Sequence, residues 1–161
     1  MSRVSHGNIR FVHTNLVARD WRKLAQFYQT VFGCVPIPPE RNLRGAALDD
    51  ATGLESAHIT GIHLRLPGHG NNGPTLEIFR YDQELEGVDS AANRPGFAHI
   101  AFAVDNVHVV RDTVFAAGGG ELGKLVTHEV KGVGWITFAY LKDPEGNLIE
   151  VQSVKSDGEA T

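Results

Sequence analysis

Residues 11–33 read FVHTNLVARDWRKLAQFYQTVFG, a strand-like run that leads directly into a helical pattern. The strand-like part, residues 9–17, is rich in β-forming residues, and Asp20 stands where a helix N-cap belongs. Apolar residues then recur with helical spacing as far as Gly33, which stands where the helix should end. The stretch therefore predicts a strand, a capped helix and a sharp stop.

The same order of signals returns in the second half of the chain. Residues 96–104 (GFAHIAFAV) form another β-rich run, followed by Asp105 at the expected N-cap and by a glycine stop at residues 118–120. His13 precedes Gly33 by 20 residues, and His99 precedes Gly119 by the same number. Each half continues with strand-like runs, at 58–66 and 74–81 in the first half and at 121–130, 133–141 and 146–153 in the second.

This pattern predicts an internal duplication of a βαβββ unit, and so an α+β fold. We expect a single domain over residues 1–161, with a first module at 9–81, a second at 95–153, a polar join between them and a tail at 154–161. Residues 68–73 are expected to form a hairpin turn, and the helix-face aromatics of residues 21–32 to lie in the core. Residues 35–57 lack the periodicity of a self-contained element, so they are expected to form a substrate lid or a subunit contact.

Composition places the chain among ordinary globular proteins. Its 161 residues are 42% hydrophobic and 21% charged, with a net charge of −4. That charge gives no electrostatic reason to bind nucleic acid or anionic membranes, and no apolar stretch approaches the roughly 20 residues of a membrane span. The single cysteine, Cys34, excludes an intrachain disulfide and favours a reducing compartment. We therefore expect a soluble cytoplasmic protein.

Four residues repeat in matching places. His13 and His99 lie in the first strand of each half, and Glu77 and Glu150 lie in the last, each between large apolar residues. Either glutamate alone could face water from one side of a sheet. A His…Glu, His…Glu pattern in both repeats instead predicts a divalent metal site, since a metal compensates carboxylates turned into a cleft. Two imidazoles and two carboxylates suit Ni, Co, Zn, Mn or Fe. The other histidines, including His58, His63 and His128, are expected to be ordinary packed or solvated residues.

Four segments together resemble the vicinal oxygen chelate superfamily, which comprises glyoxalases, bleomycin resistance proteins and dioxygenases. The segments are FVHTNLVARDWRKLAQFYQTVFG (11–33), PTLEIFRY (74–81), GFAHIAFAVDNV (96–107) and LKDPEGNLIEVQS (141–153). The resemblance spans residues 9–153 and implies paired βαβββ modules that form an open, cup-shaped mixed sheet around a metal. It implies the metal ligands His13, Glu77, His99 and Glu150, the same four that the repeat selects.

The ligand types implied by the resemblance favour one chemistry over others. Glyoxalase I has the same His/Glu/His/Glu set, which favours a lactoylglutathione-lyase-like lyase or isomerase. Methylmalonyl-CoA epimerases are similar but commonly have Gln in place of Glu77. Extradiol dioxygenases use two His and one Glu, here His13, His99 and Glu150, and would have to displace Glu77. Thiol transferases that act on fosfomycin usually have His at that place. A binding protein that sequesters an antibiotic or metabolite without turnover is a further alternative.

Both proton-transfer enzymes must remove a proton next to a metal-chelated carbonyl. Glu150 is the first candidate for the base and Glu77 its counterpart. The expected partner is a small-molecule substrate, namely a hemithioacetal, an acyl-CoA or a similar carbonyl chelator. The arginines available for its anionic groups are Arg19, Arg41, Arg44 and Arg80. Because open sheet edges are normally covered, we also expect a homodimer.

Overall fold

The computed structural model describes residues 8–155, so the predicted tail residues 156–161 and the first seven residues lie outside the described part of the chain. Two separate mixed sheets and three helices make up this part. The α+β prediction is confirmed, and each half of the sequence builds its own sheet. No helix within residues 8–155 is both long enough and apolar enough to span a membrane.

The first sheet has four strands in the spatial order β1-β4-β3-β2. Strand β1 pairs with β4 in parallel, and the other two pairings are antiparallel. The predicted turn at 68–73 joins β3 to β4. The elements of this half are β1 His13–Val17, α1 Trp21–Phe32, β2 Val35–Arg44, α2 Ala46–Thr52, β3 His58–Arg65 and β4 Thr75–Tyr81.

Helix α1 begins and ends where the sequence indicates. The Asp20 side chain accepts a hydrogen bond from the Lys23 amide, and Gly33 adopts the left-handed conformation with φ 66°. A residue with a Cβ is strained there, which explains a glycine at the helix end. The aromatic residues predicted for the core are buried on the inner face of the helix: Trp21, Phe27, Tyr28 and Phe32.

The expectation that residues 35–57 lack a self-contained element is wrong. Most of it is the edge strand β2 and the short helix α2. The sequence does not show the alternation typical of a strand here, because Pro36, Pro38 and Pro39 interrupt it. The pairing with β3 also shifts register between Ile37 and Arg41. Proline has no amide hydrogen to donate, so a strand of this composition is tolerated at a sheet edge.

The second sheet has five strands in the order β5-β9-β8-β6, with β7 also paired to β8. Three features differ from the sequence interpretation. The expected strand at 121–130 is interrupted and forms β6 and β7, and α3 is capped by Asn106, not Asp105, through the amides of His108 and Val109. Strand β9 continues to Lys155, so residues 154 and 155, which were assigned to the tail, are part of the strand. The elements are β5 His99–Ala103, α3 Val107–Ala116, β6 Gly120–Glu121, β7 Val126–Val130, β8 Gly134–Lys142 and β9 Leu148–Lys155.

The main core lies between the helices and the inner faces of both sheets. Phe32 of α1 stacks on Phe102 of β5, with 4.0 Å between ring centroids. The buried Tyr28 hydroxyl donates to the buried Asp143 carboxylate at 3.0 Å, which ties α1 to the turn between β8 and β9. Helices α1 and α3 thus join the two halves, and the opposite face of each sheet, here called its open face, carries exposed residues such as His13 and His99.

Candidate metal centre

The first His–Glu pair lies on the open face of the first sheet. His13 is opposite Thr75 in the β1–β4 pairing, so its side chain shares a face with Glu77 two residues along. The His13 Nε2 atom is 3.3 Å from Glu77 Oε2, with side-chain exposures of 42% and 12%. Asn15, directly opposite Glu77, donates from Nδ2 to the same oxygen at 3.3 Å. The predicted pair is therefore formed by two parallel strands with a fixed register.

The second pair repeats this geometry in the second sheet. His99 is opposite Leu148 in the β5–β9 pairing, again two residues before the glutamate, here Glu150. Its Nε2 atom is 3.1 Å from Glu150 Oε2, and the side chains are 32% and 16% exposed. Ala101 stands opposite Glu150, in the place that Asn15 has in the first sheet. The two halves therefore build the same pair with different neighbours.

His63 contacts Glu77 of the first pair, a contact that its interpretation as an ordinary strand residue did not predict. It lies directly opposite Glu77 in the β3–β4 pairing, and its Nε2 atom is 3.0 Å from Glu77 Oε1. Burial lowers the pKa of His63, against the opposing influence of the Glu77 charge. One signal was present in the sequence: His63 and Glu77 are each seven residues from Gly70, so a hairpin centred on Gly70 places them opposite one another.

Tyr140 has the corresponding place in the second sheet, directly opposite Glu150 in the β8–β9 pairing. Its ring packs against His99 with 5.1 Å between centroids. Burial, the charge of Glu150 and a hydrogen bond to Glu150 raise the pKa of Tyr140. The cross-strand neighbour of the glutamate is therefore an imidazole in one half and a phenol in the other.

The four predicted ligands form two pairs, one on each sheet. Among residues 8–155, no group of three or more His, Cys, Asp or Glu side chains is arranged to hold a metal ion. Each pair has the spacing of two neighbouring ligands. Bonds of about 2.1 Å place adjacent donors about 3.0 Å apart in an octahedron and about 3.4 Å apart in a tetrahedron. The observed 3.3 and 3.1 Å lie within that interval. Each pair therefore fits half of a metal site.

The candidate arginines differ in their relation to these pairs. The charge of Arg41 reaches His63, the neighbour of Glu77, and contributes to lowering the pKa of His63 after the effect of burial. Arg80 is engaged by Glu84 at 3.3 Å, and Arg44 contacts the His58 ring at 3.2 Å. Arg19 lines a cavity of about 550 Å³ at the far ends of β1 and β4, which is lined by none of the four predicted ligands. Arg41 is thus the candidate arginine whose charge reaches a direct neighbour of the first His–Glu pair.

Comparison with known proteins agrees with this architecture. The family model described as Glyoxalase/Bleomycin resistance protein/Dioxygenase superfamily matches residues 10–151. A probable lactoylglutathione lyase of Vibrio cholerae is 31% identical over 149 residues, covering 89% of this chain and 90% of that protein. Another from Vibrio parahaemolyticus is 29% identical over 150 residues, with the same coverage of both chains.

Solved structures show the same fold. A glyoxalase family protein from Bacillus cereus aligns with a TM-score of 0.73 at 16% identity, covering 97% of this chain and 99% of that one. A glyoxylase/bleomycin resistance protein/dioxygenase domain from Frankia sp. EAN1pec aligns with a TM-score of 0.59 at 20% identity, covering 92% and 100%. At these identities the likeness concerns the fold alone.

Proposed function

The chain belongs to the glyoxalase/bleomycin resistance protein/dioxygenase superfamily, and on that premise we propose that it is a divalent-metal-dependent lyase or isomerase of the glyoxalase type. Its reaction would be proton transfer next to a metal-chelated carbonyl, as in a lactoylglutathione lyase. The observation that carries the proposal is the pair of equivalent His–Glu contacts, His13–Glu77 and His99–Glu150. The two Vibrio relatives, named probable lactoylglutathione lyases, support the choice of reaction.

The metal would be held by these two pairs together, and we propose that they come from two copies of the chain. Each pair lies on an open sheet face and supplies two donors, whereas a site of this kind requires about four protein ligands. The open faces also carry exposed apolar side chains, including Val17 beside the first pair and Val154 beside the second. A two-fold dimer that placed the first sheet against the partner's second sheet would cover both faces and complete two sites.

The bound ion would supply Lewis-acid stabilisation of negative charge that develops on the substrate oxygen. Glu150 is the proposed base because its carboxylate has fewer donors than that of Glu77. Glu77 receives contacts from His13, Asn15 and His63, whereas the residue equivalent to Asn15 beside Glu150 is Ala101, which has no side-chain donor. A less restrained carboxylate can turn towards the substrate carbon, so Glu77 is assigned as the fixed ligand.

The substrate of this reaction would be a hemithioacetal. The proton leaves the carbon that bears the hydroxyl and sulfur and returns to the adjacent carbonyl carbon, while the hydroxyl proton passes from the first oxygen to the second. The product is a hydroxy-acid thioester, with no atom gained or lost. Glu150 would carry the proton between these two carbons. Arg41 is the proposed contact for a carboxylate of the thiol cofactor, because its charge reaches His63, which contacts Glu77. The single, buried Cys34 supports a cytoplasmic location for this chemistry.

The reaction is tested on protein freed of metal and reloaded with Ni²⁺, Co²⁺, Zn²⁺, Mn²⁺ or Fe²⁺. We expect turnover of the hemithioacetal of methylglyoxal and glutathione, with solvent deuterium entering the product where protons exchange. Glu150→Gln should lose turnover and retain metal, whereas Glu77→Ala should lose metal affinity. The exposed helix residue His108 provides the control, and His108→Gln should change neither.

Three outcomes would contradict this proposal. Preferential turnover of an acyl-CoA would indicate an epimerase. Cleavage of catechols with Fe²⁺ and oxygen, indifferent to Glu77→Ala, would indicate a dioxygenase. A wild-type protein that binds an aromatic compound without metal or turnover would be a sequestering protein.

Assembly across two chains is tested by complementation. Light scattering should give about twice the chain mass of 17.5 kDa. Glu77→Ala and Glu150→Ala, each inactive alone, should regain activity when unfolded and refolded together. In a random mixture half of the dimers are mixed and each has one intact site, so about a quarter of wild-type activity should return. Mixed dimers that form without any regain of activity would refute the shared site.

A further inference from the structure

The two oxygens of Glu77 have different partners. Oε2 faces His13 Nε2 and Asn15 Nδ2, both at 3.3 Å, whereas Oε1 faces His63 Nε2 at 3.0 Å. His63 is therefore on the side of the carboxylate away from the proposed ligand His13. The rings of His13 and His63 are nearly perpendicular to each other, with 6.1 Å between their centroids.

The contacts of His63 select one form of its ring. An ionised carboxylate only accepts hydrogen bonds, so the Nε2 atom must carry a hydrogen and donate it to Glu77 Oε1. In the neutral ring the Nδ1 atom is then an acceptor, and the Thr75 hydroxyl lies 3.3 Å from it. Thr75 can donate to that nitrogen, which completes a chain from the Thr75 hydroxyl through the imidazole to the carboxylate.

We propose that His63 is a positioning residue of the metal centre and not one of its ligands. It holds Oε1 of Glu77 so that Oε2 alone is presented to the ion, and the Thr75 hydroxyl contacts the Nδ1 atom on the other side of its ring. The inference rests on the proposed function, since it concerns the same ion. Removal of a residue that hydrogen-bonds a metal ligand and so fixes its orientation commonly weakens metal binding about tenfold to a hundredfold.

The second sheet differs at the equivalent place. Tyr140 stands opposite Glu150 as His63 stands opposite Glu77. The phenol, however, has only its hydroxyl and lacks the second polar atom through which a neighbour such as Thr75 contacts the imidazole. The imidazole position is therefore a property of the first half-site, where the carboxylate also has the extra donor Asn15. This asymmetry agrees with a fixed Glu77 and a more mobile Glu150.

The first measurement needs no metal. In the metal-free protein, ¹⁵N-resolved NMR of the histidine rings should show His63 as the neutral tautomer with hydrogen on Nε2. Thr75→Val should weaken that preference, and Glu77→Gln should change the His63 signal more than the signal of the control His108. A neutral His63 ring with its hydrogen on Nδ1 alone would overturn the proposal, whatever the protein does with metal.

The second measurement is the Co²⁺ affinity of the metal-free protein by calorimetry. His63→Phe should weaken binding about tenfold to a hundredfold, whereas His63→Gln, whose amide can donate to Oε1, should stay within about threefold of wild type. X-ray absorption should count the same number of imidazole ligands in wild type and His63→Gln. Thr75→Val should show a smaller loss and serves as the milder variant if His63→Phe unfolds, and His108→Gln is the control.

Each remaining outcome has a distinct meaning. Unchanged affinity in both His63→Phe and Thr75→Val would refute a positioning role while leaving the proposed function intact. A Gln variant that binds as weakly as the Phe variant and has one imidazole fewer would make His63 a ligand. A wild-type protein that binds no divalent ion would refute the proposed function and this inference together, even with the expected tautomer.

Discussion

The Tyr28→Phe substitution tests how the two halves are joined. The Tyr28 hydroxyl donates to Asp143 Oδ2 at 3.0 Å, and both side chains are buried. The same carboxylate accepts from the amides of Glu145 and Asn147, each at 2.9 Å, and from Asn147 Nδ2 at 2.8 Å. Removal of one hydroxyl therefore leaves a buried carboxylate with three of its four donors and creates almost no cavity.

The expected loss follows from the kind of bond removed. A hydrogen bond to a charged group contributes about 1.5–3 kcal/mol to the free energy of unfolding. For a chain of this length that loss lowers the melting temperature by roughly 3–12 °C. Both values apply to the ionised Asp143 carboxylate.

The loss should shrink in acid. Burial raises the pKa of Asp143, and the hydrogen bonds from Asn147, Tyr28 and Glu145 oppose that rise. A carboxyl whose pKa is raised on folding adds stability below its unfolded pKa, and this contribution is lost as the pH rises through the folded pKa. Without the Tyr28 hydroxyl the folded pKa rises further, so the variant is penalised most above that pKa and least below it.

Urea unfolding at about pH 7.5 and about pH 4.5 provides the measurement, because protonation of the Asp143 carboxylate increases from the first pH to the second. Tyr81→Phe is the matched control, since the Tyr81 hydroxyl has no side-chain hydrogen bond among the described residues. An equal loss in the two variants, or a Tyr28→Phe loss that does not change with pH, would refute the assignment.

Three further predictions concern other parts of the fold. Gly61→Ala should destabilise the protein by about 3 kcal/mol in urea unfolding, because the added Cβ would collide with the Ile78 carbonyl oxygen; an unchanged midpoint would contradict this. Burial raises the pKa of the Cys34 thiol to about 11, so a thiol reagent at about pH 8 should label Cys34 only after unfolding, and rapid labelling of the native protein would disagree. Asp20→Ala should lower the free energy of unfolding, measured in urea, by about 1 kcal/mol because the Lys23 amide loses its acceptor. Asp20→Asn, whose amide oxygen can still accept, should lose much less, and equal losses in the two variants would contradict the cap.

The sequence was sufficient for features that depend on near neighbours in the chain or on the repeat. Asp20 and Gly33 bound α1 through local hydrogen bonds and backbone conformation, which any chain with that order of residues can adopt. The α+β class followed from the repeat, because two similar halves must build similar sheets. His13 was paired with Glu77 by the same repeat, and the structure places their side chains together.

Other features required the folded chain. Strand β2 was missed because proline suppresses the pattern by which a strand is recognised, and only its pairing with β3 makes it a strand. Asp105 and Asn106 are both good caps, and only the backbone of the folded turn selects Asn106.

The role of His63 shows the difference most clearly. The sequence by itself determined a duplicated α+β fold and selected a histidine in the first strand and a glutamate in the last strand of each half, because the repeat places both residue types at matching positions. Only the tertiary structure decided that His63 meets the second oxygen of Glu77 and that the two His–Glu pairs lie on separate open faces. Both depend on the register between strands and on the packing of one half against the other, which distant parts of the chain determine together.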